Sequence, residues 1–265
     1  MNNNPIGILD SGLGGLTVWK EIAALLPHES TVYIADSQNT PYGAKSHEEI
    51  YHLSKRLIEF LLTKQAKVIV IACNTITVSC LDRLRNDYPN LPIIGTVPVI
   101  KTAVEITKNK KIGVLSTTRT AESQYQKELI HKFAGGINVI NLGTDELVPL
   151  IEKGELEGEK IDAILQNVLF KFKEAEVDAL ALGCTHFPLL RSQMEKILGS
   201  SVRVLDSGQA IARQVKRILE HNQIIAEEKE PKYEFYTTGD SEIAKNILAG
   251  KIIGQEGLEF FQIDL

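Results

Sequence analysis

Several features that would place this chain in a specialised class of protein are scarce or missing. Its three cysteines include no CxxC pair, so neither a disulfide framework nor a zinc site is indicated. Its longest apolar runs, such as VIVIAC at residues 68–73, are far shorter than the ~20 residues of a membrane helix. The net charge of −5 argues against general nucleic-acid binding, which needs a basic face. We therefore expect no membrane span, no metal site and no nucleic-acid partner.

The amino terminus, MNNNPIGILD, lacks the basic and apolar regions of a secretory signal. This absence predicts a cytoplasmic protein, in which the cysteines remain free thiols. With 43% hydrophobic and 24% charged residues, the composition is that of an ordinary globular protein. A chain of 265 residues is long enough for two modest domains.

Short apolar runs rich in β-forming residues recur at fairly even spacing and indicate buried parallel strands. The predicted strands cover residues 6–9, 32–35, 68–72, 93–95, 112–115, 139–142, 179–182 and 202–205. Helical periodicity separates them, for instance at residues 48–62, and this alternation predicts an α/β fold. A closed eight-stranded barrel is the alternative that such a length also allows.

Internal repetition favours two related domains over a closed barrel. An offset of 111 residues, from Cys73 to Cys184, superposes VIVIAC on ALALGC and residues 93–95 on 204–206. A nearby offset of 106 residues superposes IGIL at 6–9 on IGVL at 112–115. The prediction is two similar domains, each a mainly parallel sheet flanked by helices, with the active site in the cleft between them.

The boundaries of the two predicted domains follow from the repeat. Residues 1–96 and 208–265 would form the first domain, and residues 97–207 the second. The final segment, 233–265, contains further strand-like runs (YEFY and FFQI) around a helix, and we expect it to pack on the first domain. Ligands of such folds bind outside the carboxyl ends of the strands, where both Cys73 and Cys184 are predicted to lie.

Cys73 and Cys184 are the residues most suggestive of chemistry. Each stands where a strand gives way to a helix, and a helix amino terminus lowers a thiol pKa. Buried structural cysteines are the common alternative, and we assign that role to Cys80. Two thiols facing each other across a cleft suit the inversion of a carbon stereocentre, because one removes a proton while the other returns one.

Other chemistries use some of the same residues. A Cys–His hydrolase with His186 is the alternative, although it leaves the second cysteine unexplained. The glycine-rich segment DSGLGGLT at residues 10–17 lacks both the dinucleotide fingerprint and a Walker lysine. Its glycines allow close approach of the backbone to a ligand, and Asp10 could bind an ammonium group, orient a thiol or cap a turn.

The motifs DSGLGG, PYG at residues 41–43, CNT at 73–75, STTRT at 116–120 and GCTH at 183–186 occur in an order that resembles bacterial glutamate racemases. Aspartate racemases are similar in outline, but GCTH favours the glutamate branch. The resemblance spans essentially the whole chain. It implies cofactor-independent racemisation of L- and D-glutamate, without pyridoxal phosphate, metal or nucleotide, to supply D-glutamate for peptidoglycan.

The resemblance also implies roles for individual residues. Cys73 would take the proton from D-glutamate and Cys184 from L-glutamate, assisted by Asp10 and His186. Asp36 and Glu152 would be nearby supporting acids. The implied substrate contacts are Ser11, Pro41, Tyr42, Gly43, Asn74, Thr75, Thr117, Thr120 and Thr185. We also expect a homodimer, whose interface the sequence does not identify.

Overall fold

The computed structural model describes residues 2–227, 229–247 and 259–265, which form two separate β-sheets flanked by helices. Its strands are β1 (Ile6–Asp10), β2 (Thr31–Ala35), β3 (Val68–Ile71), β4 (Ile93–Gly95), β5 (Lys111–Ser116), β6 (Asn138–Gly143), β7 (Ala179–Gly183), β8 (Arg203–Leu205), β9 (Tyr233–Thr237) and β10 (Phe260–Gln262). Its α-helices are α1 (Leu16–Leu25), α2 (His47–Thr63), α3 (Asn74–Asp87), α4 (Ile100–Ile106), α5 (Thr118–Glu122), α6 (Gln124–Phe133), α7 (Val148–Ile151), α8 (Glu159–Glu174), α9 (Arg191–Leu198), α10 (Gly208–His221) and α11 (Ser241–Ile247).

The two sheets have the same core topology. The six-stranded sheet has the order β10-β9-β2-β1-β3-β4, and the four-stranded sheet has the order β6-β5-β7-β8. All the paired strands run parallel. The order β2-β1-β3-β4 thus recurs as β6-β5-β7-β8, which matches both offsets of the sequence repeat. The predicted α/β fold of two similar sheets is confirmed, and the closed barrel is excluded.

The central strands are buried on both faces, which explains why their sequences are continuously apolar. In β1, Ile6 and Ile8 pack toward one face of the sheet, together with residues of α1 and α10. Leu9 points to the opposite face and packs with residues of α2 and α3. Burying an aliphatic side chain of this size contributes roughly 1.5–3 kcal/mol before the entropy cost of folding is counted.

Helix α2 shows how local sequence sets the bounds of an element. Ser46 caps its amino terminus by accepting a hydrogen bond from the Glu49 backbone N–H, and the Glu49 carboxylate accepts one from the Ser46 backbone N–H. Beyond this cap, Ile50, Leu57 and Leu61 recur on one face and are buried against the sheet. The helical prediction for residues 48–62 is confirmed to within a residue at each end.

The carboxy-terminal segment packs on the first sheet, as predicted. Strand β9 pairs with β2, and β10 pairs with β9. Of the helix predicted between the runs YEFY and FFQI, the structure shows α11, whereas residues 248–258 lie outside the described residues. The six-stranded sheet thus draws its strands from both ends of the chain, whereas the other sheet uses only residues 111–205. The boundaries 1–96 with 208–265, and 97–207, stay predictions.

None of the helices described here is long and apolar enough to cross a lipid bilayer.

Candidate active site

A small pocket lies between the two sheets, at the carboxyl ends of their strands. With its mouth included, the empty space of this pocket is about 330 Å³. Its lining consists of Ser11, Pro41, Tyr42, Gly43, Cys73, Asn74, Thr75, Thr117, Asp145, Val148, Cys184, Thr185 and His186. Both candidate thiols therefore face one cavity, and their loops follow the equivalent strands β3 and β7.

Cys73 occupies the position just before the first residue of α3 and is buried. Its Sγ lies 3.3 Å from the hydroxyl oxygen of Ser11. Burial, and next the negative charge of Asp10, raise the pKa of the Cys73 thiol well above its usual range, outweighing the hydrogen bond from Ser11. The prediction that the helix amino terminus lowers this pKa is wrong, because desolvation outweighs it. Cys73 is a thiol at neutral pH.

Cys184 has a charged neighbour instead. Its Sγ lies 3.8 Å from Nδ1 of His186, whose Nε2 lies 2.5 Å from Oε1 of Glu152. Burial alone would lower the pKa of His186, but its contacts with Cys184 and Glu152 raise that pKa well above the usual value. The resulting imidazolium donates from both nitrogens and stabilises negative charge on the sulfur of Cys184. Cys184 is followed by a turn and a 3-10 helix rather than directly by an α-helix.

Asp10 is fully buried behind the two thiols, at the end of β1. One carboxylate oxygen accepts from the backbone N–H of Gly15 at 2.8 Å, and the hydroxyl of Thr185 donates to the same oxygen at 3.2 Å. Burial raises the pKa of Asp10 to about 6, although the positive charge of His186 opposes this rise. Asp10 is therefore a weaker acid than an exposed aspartate.

The glycines of the first loop make room for these side chains. A Cβ atom at Gly12 would overlap the Glu152 carboxylate, and one at Gly14 would lie 2.5 Å from Nδ1 of His186. The backbone N–H of Leu13 donates to Oε1 of Glu152 at 2.6 Å. The loop thus packs closely against the His186–Glu152 pair of the other half of the molecule, and its close approach to a ligand stays a prediction.

Threonine hydroxyls join the two halves beside the thiols. The Oγ1 atom of Thr75 lies 3.0 Å from that of Thr117 and 3.3 Å from that of Thr120, and Thr117 and Thr120 are 2.9 Å apart. Thr75 and Thr117 line the pocket, whereas Thr120 lies behind them and is fully buried. Hydroxyl groups can donate or accept, so this cluster is suited to holding a carboxylate.

The PYG loop contributes Pro41, Tyr42 and Gly43 to the lining, but the Tyr42 hydroxyl is anchored elsewhere. It donates to Oδ2 of Asp36 at 2.5 Å, and both side chains are buried. Asp36 is thus placed at the loop rather than at a sulfur atom, whereas Glu152 reaches Cys184 through His186. The two predicted supporting acids serve different parts of the pocket.

Eleven of the predicted residues line the pocket, while Asp10, Asp36, Thr120 and Glu152 lie behind the lining. Sequence reasoning missed Asp145 and Val148. The repeat could have found Asp145, because it follows β6, and the equivalent strand β2 is followed by Asp36. Asp145 accepts from the backbone N–H of Thr118 at 3.1 Å and approaches Gly43, so it also spans the two halves.

The part of the chain that the structure describes holds no group of three His, Cys, Asp or Glu side chains arranged to bind a metal ion. Cys80, the third cysteine, lies within α3 and outside the pocket lining, and its Sγ is 3.4 Å from the backbone oxygen of Ile76. Burial raises its pKa to about 11. The pocket lining itself presents two thiols with unlike neighbours, Ser11 at Cys73 and His186 at Cys184.

Comparison with known proteins agrees with this geometry. Residues 6–215 match the profile of the family described as Asp/Glu/Hydantoin racemase. A glutamate racemase from Pseudomonas paraeruginosa is 38% identical over 244 residues, which cover 92% of each chain.

The similar solved structures are also glutamate racemases. Glutamate racemase isoform RacE1 from Bacillus anthracis superposes with a TM-score of 0.89 and 33% identity, covering 100% of this chain and 99% of that one. A glutamate racemase from Francisella tularensis in complex with D-glutamate has a TM-score of 0.85 and 30% identity, covering 100% of this chain and 98% of that one. The resemblance predicted from the motifs is confirmed, and the chain belongs to the Asp/Glu/Hydantoin racemase family.

Proposed function

We propose that this protein interconverts L- and D-glutamate without a cofactor, using Cys73 and Cys184 as opposed acid/base groups. The observation that carries the proposal is that both thiols line one small pocket from equivalent points of two related halves. The relatives named glutamate racemase and the D-glutamate complex of the Francisella enzyme support glutamate as the substrate.

In the proposed reaction, the Cys184 thiolate removes the Cα proton of L-glutamate while Cys73–SH donates its proton to the opposite face. The products are D-glutamate, Cys184–SH and a Cys73 thiolate, so protons and charge balance. D-glutamate then reacts in the reverse sense, with Cys73 as the base. Groups positioned in this way typically contribute about 10²–10⁴-fold each.

Supporting groups have distinct parts in this scheme. The His186–Glu152 pair stabilises the thiolate of Cys184, and it lies within 3.8 Å of that sulfur. Asp10, whose pKa is about 6, provides a route for protons to and from the Cys73 side. The side chains of Asp10, His186 and Glu152 are buried, so their effects are little screened by solvent.

We assign substrate binding to donors and acceptors of the lining. The hydroxyls of Ser11, Thr75, Thr117 and Thr185, the amide of Asn74 and the PYG loop would hold the two carboxylates. The Asp145 carboxylate is part of the lining and would accept hydrogen bonds from the substrate ammonium group. Stabilising the carboxylate as charge develops at Cα supplies part of the acceleration that the thiols alone do not.

A Cys–His amidohydrolase is the second candidate, because Nδ1 of His186 lies 3.8 Å from the Cys184 sulfur. In such a hydrolase Cys73 would have no catalytic role, although it lines the same cavity. An aspartate racemase would use the same thiols with a shorter substrate.

Incubation in deuterium oxide separates these functions. We expect L- or D-glutamate to gain deuterium at Cα and lose optical rotation without bond cleavage, in protein dialysed against chelator with no pyridoxal phosphate added. Appearance of two cleavage products would support the hydrolase instead. A panel of L- and D-amino acids that includes aspartate and glutamine tests the substrate, and faster turnover of aspartate would contradict the glutamate assignment.

We further propose that this reaction supplies D-glutamate for peptidoglycan, in the cytoplasm, by a homodimer of two-domain subunits. The family resemblance supports the metabolic role and the dimer. Three free thiols fit a reducing compartment. Sedimentation of the purified protein tests the dimer, and D-glutamate auxotrophy of a deletion strain tests the metabolic role.

A further inference from the structure

A chain of buried hydrogen bonds connects the PYG loop of the pocket to the carboxy-terminal part of the molecule. The Tyr42 hydroxyl donates to Oδ2 of Asp36 at 2.5 Å, and the Thr238 hydroxyl donates to Oδ1 of the same carboxylate at 2.8 Å. Tyr42, Asp36 and Thr238 are all at most 5% exposed. Because the Tyr42 hydroxyl is bonded to Asp36, the position of the pocket-lining PYG loop depends on the position of the Asp36 carboxylate.

Thr238 is joined to the loop in a second way. Its hydroxyl oxygen accepts from the backbone N–H of Gln38 at 3.0 Å, and its own backbone N–H donates to the oxygen of Ala35 at 3.0 Å. Asn39 supplies another donor to Oδ1 of Asp36 at 2.9 Å. The hydroxyl of Thr238 therefore both donates to Asp36 and accepts from the segment that leads to Pro41, which fixes its orientation.

The origin of Thr238 makes this arrangement specific to one half of the molecule. It follows β9, which lies between β2 and the edge strand β10 of the six-stranded sheet. Strand β6, the counterpart of β2, is the last strand of the four-stranded sheet, and no strand among residues 2–227, 229–247 and 259–265 pairs with its other edge. There the strand-end acid Asp145 accepts from the Thr118 N–H instead.

We propose that Thr238 is a positioning residue for racemisation, which acts through Asp36 and Tyr42 to hold the PYG loop against the substrate. This inference rests on the proposed function for its kinetic readout, but not for its structural one. Removing the hydroxyl leaves the Gln38 N–H without its acceptor and takes one donor from Asp36. Tyr42 and the loop then gain freedom, and small displacements of a substrate-positioning group can cost up to ~10²-fold in rate.

The test compares Thr238→Val, which keeps the shape but removes the hydroxyl, with Thr238→Ser, which restores it. Thr107→Val is the matched control, because it removes a Thr-to-Asp hydrogen bond of 2.5 Å to Asp178 far from the pocket. We expect Thr238→Val to lower kcat/KM for glutamate about tenfold or more, with Thr238→Ser and Thr107→Val within about threefold of the parent.

Coupling provides a readout that general destabilisation does not mimic. If Thr238 acts through Tyr42, then Thr238→Val added to Tyr42→Phe should cost less than about twofold more than Tyr42→Phe alone. Multiplicative effects of the two changes would overturn the proposed route. A Thr238→Val protein with parental kcat/KM would overturn the kinetic role, whatever its Tm. If the valine variant does not fold, Thr238→Ser gives the second test, because a tenfold loss of kcat/KM in that variant would show that the hydroxyl is not what positions the loop.

Amide hydrogen exchange separates this proposal from the proposed function. We expect exchange at residues 42–45 to accelerate about tenfold in Thr238→Val but not in Thr107→Val. If the unmodified protein fails to racemise glutamate, the proposed function is wrong. Amide hydrogen exchange at residues 42–45 then decides by itself whether Thr238 holds the loop. Unchanged exchange in Thr238→Val would contradict the positioning role, whatever the reaction.

Discussion

The surroundings of Cys73 and of Cys184 differ sharply, although the two residues follow equivalent strands of two related sheets. Cys73 has a neutral hydroxyl at 3.3 Å and a carboxylate behind it, and its pKa is raised. Cys184 has a protonated histidine at 3.8 Å, itself paired with Glu152. The two sides of the pocket therefore differ in charge, with a thiol beside a buried carboxylate on one side and a thiol beside an imidazolium on the other.

This difference shows that placement and protonation of the sulfur atoms have separate origins. Placement follows from the repeated strands, whose carboxyl ends meet at one cleft. Protonation follows from residues that the repeat does not share, because CTH at 184–186 carries a histidine where CNT at 73–75 carries a threonine. A racemase needs one protonated and one deprotonated thiol at a time, so unlike surroundings are an advantage.

The largest expected effect comes from removing either sulfur. Cys73→Ala and Cys184→Ala should each reduce racemisation by at least about 10³-fold, because one proton transfer loses its partner. In deuterium oxide, Cys73→Ala should still exchange the Cα proton of L-glutamate with retention, since Cys184 remains. Cys184→Ala should do so only with D-glutamate, and more slowly, because Cys73 rests as a thiol.

The matched control for both is Cys80→Ala, which leaves the pocket intact. Exchange of either enantiomer at equal rates in both pocket variants would show that the two thiols are not the unlike pair described above. A Cys73 or Cys184 variant with a tenth of the parental racemisation would remove that thiol from the mechanism.

Asp10 provides a test through protein stability. Its pKa of about 6 lies above that of an exposed aspartate, so between pH 4 and 6 the folded state binds more protons than the unfolded state. The free energy of unfolding therefore falls as pH rises through this window. Relative to the parent, Asp10→Asn should be more stable by well under ~1 kcal/mol at pH 4 and by an amount on the order of 3 kcal/mol at pH 8, measured by urea unfolding.

Asp178→Asn is the control of opposite sign for the same measurement. Burial alone would raise the pKa of Asp178, but hydrogen bonds from the Thr107 hydroxyl and from the backbone N–H groups of Lys108 and Asn109 together lower it below the usual value. Its ionised form thus stabilises the folded state above the usual pKa, and the variant should lose stability at pH 8. Equal behaviour of the two variants would contradict the burial of charge at Asp10.

Gly14→Ala tests the contact between the first loop and the histidine of the other half. A Cβ there would lie 2.5 Å from Nδ1 of His186, so we expect a loss of about 2 kcal/mol and lower activity. Gly135→Ala is the control, since nothing lies within 4 Å of its added atom. A Gly14→Ala protein with parental Tm and activity would mean that His186 can move freely.

The smallest expected effect is that of Glu152→Gln, which keeps the hydrogen bonds but removes the charge. The pKa of His186 should fall, because Glu152 helps to raise it. Racemisation should drop about tenfold, and its loss on the alkaline side should begin at lower pH than in the parent. Glu155→Gln, at an exposed position on the same loop, should behave as the parent in the same pH series.

Periodicity and repetition predicted the α/β fold, the strand positions and the shared cleft, because buried parallel strands leave a strong pattern in sequence. Asp36 and Glu152 were recognised by family resemblance, but sequence did not separate their tasks. Their tasks differ because Asp36 accepts a hydrogen bond from Tyr42, whereas Glu152 contacts His186. These partners are 6 and 34 residues apart in the sequence. Asp145, by contrast, could have been predicted from the repeat, because it follows β6 as Asp36 follows the equivalent strand β2.

By itself, the sequence determined where two cysteines end two related strands, since strand length, apolar pattern and repeat are local properties of the chain. Only the tertiary structure decided the charge of each group. Desolvation and long-range neighbours set the pKa of Cys73, Asp10 and His186. A helix amino terminus can be read from adjacent residues, but the burial that overrides it at Cys73 exists only once the two halves have closed around the pocket.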